Sequence, residues 1–81
     1  MHIEVFVAQN DIRCQAVRQF LDGFGLKYTE LDISKKEVQE DFQKRLPGTN
    51  AVPQLFIDGE HAGGYEDLLK ITLEFARRNI D

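Results

Sequence analysis

A three-layer α/β domain, with four strands in a mixed sheet and the order β-α-β-α-β-β-α, is the fold this chain predicts. Three observations carry the expectation. A strand pattern, an amphipathic helix pattern and a second strand pattern follow one another over residues 3–33, Asp58-Gly59 separates two further strand patterns, and an apolar stripe at helical spacing closes the chain. Strand, helix and strand in succession form a right-handed crossover between parallel strands. A two-residue Asp-Gly connection instead joins antiparallel neighbours, because both central positions of that turn need positive φ. One sheet must therefore hold both kinds of pairing.

Taken in order, Ile3, Val5 and Val7 share one strand face and Phe6 adds apolar character to the other, as in a strand covered on both sides near the sheet centre. Asp11 is the expected N-cap of the first helix, where Ile12, Cys14, Val17, Phe20, Leu21 and Phe24 recur at spacings of three and four until Gly23 or Gly25 ends it. Residues 26–33 alternate apolar with polar side chains and form the second strand. Ser34-Lys35-Lys36-Glu37 has the spacing of a capping box, opening a polar second helix with Val38, Phe42 and Leu46 that must stop at Pro47-Gly48. Residues 52–57 and 60–62 are the third and fourth strands. Leu68, Leu69, Ile71, Thr72, Phe75 and Ala76 then place an apolar stripe on a terminal helix able to seal one sheet face.

At 81 residues, with 42% hydrophobic and 30% charged side chains, residues 1–81 are expected to form one domain with no long disordered segment. The net charge of -4, with basic residues dispersed in pairs, argues against a nucleic-acid partner. No apolar run approaches the roughly 18 residues of a membrane span, and Met1 leads straight into a strand pattern rather than a signal peptide, so a cytoplasmic setting is expected. Cys14 is the one cysteine, which excludes an intramolecular disulfide and leaves a thiol that is inert or functional. His2 and His61 have no cysteine or second histidine at ligand spacing, so no metal is expected.

The order of elements and the proline opening the third strand resemble the glutaredoxins, the smallest form of the thioredoxin fold. Residues 51–58, Ala-Val-Pro-Gln-Leu-Phe-Ile-Asp, match the family's T-V-P-Q-I-F-I-D, and residues 63–68, Gly-Gly-Tyr-Glu-Asp-Leu, match G-G-C-D-D-L. The resemblance implies a strand order of 3-1-2 with the fourth strand outside the third. It also implies glutathione as substrate or ligand and thiol-disulfide exchange, the electron-transport chemistry of the family. The departure lies at the redox motif C-P-Y-C, whose positions fall on Asp11, Ile12, Arg13 and Cys14. The nucleophilic cysteine is replaced and Cys14 takes the resolving position.

In the family the first thiol sits at a helix N-terminus, which lowers its pKa from about 8.5. An aspartate there caps the helix but cannot exchange sulfur, and capping is the favoured reading of Asp11 over acid-base work. Cys14, one turn further in and facing the body of the fold, reads as core packing, with a redox or glutathionylation role as the alternative. Arg13 is a solvated charge or a carboxylate holder, and in the second role it compensates for the family's lysine, which corresponds to Ala8.

The resemblance makes the Val52-Pro53 peptide cis, offering the Val52 N–H and C=O to the cysteinyl unit of glutathione; the alternative is a tight turn. Gly64, Tyr65, Glu66 and Asp67 resemble the loop that receives the γ-glutamyl carboxylate, with Asp67 meeting the ammonium group or simply complementing a helix dipole. The expected function is that of a monomeric glutaredoxin-like protein that keeps a groove for glutathione or a glutathionylated protein, with weak or absent exchange through Cys14. The alternative is a non-catalytic adaptor that presents the groove to a protein partner.

Overall fold

The computed structural model describes residues 1–70. The expected helical stripe at Ile71, Thr72, Phe75 and Ala76 lies outside them. The described elements are β1 (Ile3–Val7), α1 (Ile12–Gly23), β2 (Thr29–Asp32), α2 (Lys36–Arg45), β3 (Gln54–Ile57) and β4 (Glu60–Gly64), and residues 65–70 are helical.

The four strands form one sheet in the order β2-β1-β3-β4, the order the resemblance implies. β1 pairs parallel with β2 and antiparallel with β3, and β3 pairs antiparallel with β4. Alternation along β1 divides the core. Ile3, Val5 and Val7 face Cys14, Val17 and Leu21 of α1 and Leu68, whereas Phe6 faces the other way, onto Phe42 of α2 and Phe56 of β3. The Phe6 ring lies 4.9 Å from that of Phe42 and 5.7 Å, edge-on, from that of Phe56. Such offset and edge contacts are the favourable arrangements of aromatic pairs.

Several boundaries differ from expectation. β2 is confined to four residues rather than residues 26–33, because Leu26 spends its N–H on the Leu21 carbonyl at 3.0 Å, completing the end of α1. Leu26 and Tyr28 still pack on the core without joining the ladder. The capping box at Ser34 is not made. The Asp32 carboxylate accepts the Ser34 N–H at 2.9 Å, and the Asp32 carbonyl accepts the Lys35 N–H at 3.1 Å, so the chain turns into α2 one residue later than the box requires. Lys35 is the N-cap and makes no side-chain cap bond.

β3 begins at Gln54 rather than at residue 52, and β4 runs on to Gly64 rather than ending at residue 62. Leu55 lies opposite Gly63 and Phe56 opposite His61, so Ala62 is the extra residue of a bulge. The turn between them is as expected: Asp58 and Gly59 have φ of 51° and 84°.

Candidate functional site

The head of α1 is built by Asp11. Its extended backbone leaves the carboxylate Oδ1 to accept the N–H groups of Arg13 at 2.8 Å and Cys14 at 3.2 Å, two of the donors that a helix start leaves unpaired. Ile12 is left 80% exposed. Cys14 turns inward and is fully buried, its Sγ accepting the Ala8 N–H at 3.4 Å. Burial pushes the thiol above its ordinary pKa. The Ala8 N–H opposes that shift without cancelling it, and the Asp11 carboxylate adds to it. The thiol of Cys14 is thus kept protonated and away from solvent.

Beside this helix head lies a cleft of about 460 Å³. Arg13 of α1, Val52 and Pro53 before β3, Gly64 at the end of β4, and Tyr65, Glu66 and Asp67 of the next turn all line it. The sequence singled out each of these, and the fold brings them to one place. Cys14 is not among the described lining residues.

The parts of the cleft have distinct physical roles. The Val52-Pro53 peptide is cis and Pro53 is buried. Among the described residues nothing bonds to the Val52 N–H or C=O, so this short backbone edge is open. A Cβ at Gly64 would stand 3.4 Å from the Pro53 carbonyl, which brings the end of β4 into contact with the cis peptide. Asp67 reaches back to accept the Gly64 N–H at 3.0 Å, tying down the entry to the turn. The Arg13 guanidinium stands 5.9 Å from the Tyr65 ring centroid, spanning the mouth between α1 and this turn.

Gln54, His61 and Leu69 also line the cleft and were not singled out from the sequence. A signal for two of them existed. The Asp58-Gly59 turn fixes Phe56 opposite His61, which puts Gln54, two residues along the same face, diagonally across from the histidine. Their side chains meet at 2.7 Å.

Sheet, flanking helices and cleft together define a thioredoxin-like α/β protein. Residues 13–62, more than half of the chain, match the family model described as Glutaredoxin. Glutaredoxin 1 of Rickettsia typhi is 38% identical over 60 residues, spanning 72% of this chain and 58% of its own length. Glutaredoxin 3 of Escherichia coli K12 is 28% identical over 80 residues, 99% of this chain and 93% of its own. Among solved structures, glutaredoxin from Brucella melitensis superposes with a TM-score of 0.74 at 28% identity, over 91% of this chain and 80% of its own. A buckwheat glutaredoxin-glutathione complex superposes with a TM-score of 0.75 at 22% identity, over 90% and 69% of the two chains, a likeness of fold. The chain belongs to the glutaredoxin family.

Proposed function

We propose that residues 1–81 form a monomeric, cytoplasmic glutaredoxin domain that keeps a cleft for glutathione or a glutathionylated protein while retaining little or no thiol-disulfide exchange. The observation that carries this reading is the pairing of an open Val52 edge with a carboxylate, Asp11, at the head of α1. The first is a peptide-binding feature and the second occupies the place of a nucleophile.

Glutathione carries two carboxylates, an ammonium group and an extended backbone, and the cleft offers a complement to each. Val52 pairs its N–H and C=O with the cysteinyl unit, as an added strand does. The backbone N–H groups of residues 65–67 receive the γ-glutamyl carboxylate, and the Asp67 oxygen left over from its bond to Gly64 meets the ammonium group. Arg13 holds the glycyl carboxylate. The thiol or disulfide sulfur of the ligand then lies towards Asp11, which has no sulfur to exchange with it.

Thiol exchange requires a thiolate able to reach its target. Cys14 meets neither condition, being buried and shifted towards the thiol form. Reduction of a glutathione mixed disulfide is the test. The natural chain should turn it over at or near background, Cys14→Ser should change nothing, and Asp11→Cys should raise the rate at least about tenfold by placing a thiol at the helix head. Brisk turnover by the natural chain that disappears in Cys14→Ser overturns the proposal.

A protein partner is the second reading, for which Ile12, 80% exposed next to Arg13 at the head of α1, offers an apolar point of contact.

A further inference from the structure

We propose that Gln54 and His61 are positioning residues that hold the Val52 backbone edge in register for its ligand. The identity of that ligand rests on the reading above, but the positioning itself does not. Val52 makes no hydrogen bond of its own among the described residues, so its orientation is set by its neighbours. On one side Pro53 is buried in the fold. On the other, the Gln54 amide nitrogen donates to the Ala51 carbonyl at 3.1 Å, bridging over Val52 and closing residues 51–54 into a small ring.

That bond fixes which way the Gln54 amide faces. With its nitrogen spent on Ala51, its oxygen is the atom presented to His61 Nε2 at 2.7 Å, and an oxygen can only accept. His61 therefore carries its proton on Nε2 and donates. The imidazole in turn rests on the Phe56 ring, 5.2 Å between centroids, and Phe56 is part of the buried aromatic core. A continuous path thus leads from the core through Phe56, His61 and Gln54 to Ala51, and so to the exposed peptide at Val52. Gln54 and His61 both line the cleft, yet their polar atoms face each other and the backbone. A chain of this kind predicts strong coupling, since the histidine acts on the edge only through the glutamine.

Two readouts test it. In the unliganded protein, Gln54→Met removes both polar atoms at nearly constant length; it should move the Val52 amide resonance and speed its hydrogen exchange, while α1 and β2 amides and the thermal midpoint stay put. In a glutathione titration, Gln54→Met should weaken binding about tenfold, the size of one hydrogen bond lost at a site, and His61→Phe about threefold. The double variant should be no weaker than Gln54→Met alone. Should Gln54→Met fail to fold, Gln54→Glu, which keeps the acceptor for His61 and loses the donor to Ala51, should give the same Val52 response. An unmoved Val52 amide, or losses that multiply in the double variant, overturns the inference. If the natural chain binds no glutathione, the functional reading fails while the unliganded Val52 response still decides this one.

Discussion

Two N–H groups at the head of α1 are held by the Asp11 carboxylate, the same groups that would steady a thiolate in its place. Asp11→Ala should therefore lower stability by about 1 kcal/mol, the usual worth of an N-cap, read as a drop in the thermal or urea midpoint. Cys14 makes the opposite case of a group whose burial decides its chemistry. In the native protein at pH 8 it should resist iodoacetamide and react only once the chain is unfolded, and rapid labelling of the folded protein would contradict its placement. Its raised pKa also fixes the sign of a pH effect. The folded state favours the protonated thiol, so this contribution to stability is whole below the unfolded thiol pKa of about 8.5 and is lost as pH climbs towards the folded value. In Cys14→Ala that alkaline decline should be shallower. Both residues were legible in the sequence, since a helix start and an apolar helical spacing are local patterns.

Between elements, the main polar tie is Glu4 of β1 with Arg45 of α2. Arg45 forms a fork to the two Glu4 oxygens at 2.9 and 3.0 Å, bonds Asp41 at 3.0 Å, and lies 5.3 and 5.0 Å from the Phe6 and Phe56 ring centroids. Bidentate pairing and ring stacking are geometries a lysine cannot copy. The Arg45 hydrogen bonds hold the Glu4 carboxyl below its ordinary pKa. The stability this gives is present above the unfolded carboxyl pKa and lost as pH falls through the lower, folded one. Arg45→Met should thus cost about 1–2 kcal/mol at pH 7, with the difference from the natural chain narrowing below about pH 4. Equal destabilisation at both pH values would deny the ion pair its role.

Gly63→Ala should be harmful at the same scale. Its φ is 126°, and an added Cβ would stand 2.5 Å from Asp67 Oδ2, displacing the carboxylate that caps Gly64. A lowered thermal midpoint together with shifted amides at residues 64–67 is the expected signature, and an unperturbed turn would contradict it. These ties show where sequence reasoning reached its limit. Strand faces, the Asp58-Gly59 turn and the N-cap follow from neighbours a few residues apart. Glu4 and Arg45 are 41 positions apart and meet only because β1 puts its even residues under α2. The Ser34 capping box failed for a local reason: Asp32, two residues earlier, offered the stronger acceptor for the Ser34 N–H. Gln54 and His61 lay in between, readable from the hairpin register yet missed because neither residue type carries a strand or turn signal.

At the scale of the whole molecule, the fold is the family's, and the proposed function separates that fold from the family's exchange chemistry. The glutaredoxin architecture, the family match over residues 13–62 and the cleft walls are all in place, yet the residue that caps α1, two positions before Arg13, is a carboxylate. A fold is set by many distributed contacts and tolerates such a change, whereas exchange chemistry depends on one sulfur at one position. Binding that outlives catalysis, as proposed, is tested most directly by a titration of isotope-labelled protein with reduced glutathione followed by amide resonances. Saturable shifts at Val52 and at residues 64–67, with the Cys14 amide little moved and no mixed disulfide formed, are the predicted result. Absence of shifts at those residues at millimolar glutathione would contradict it.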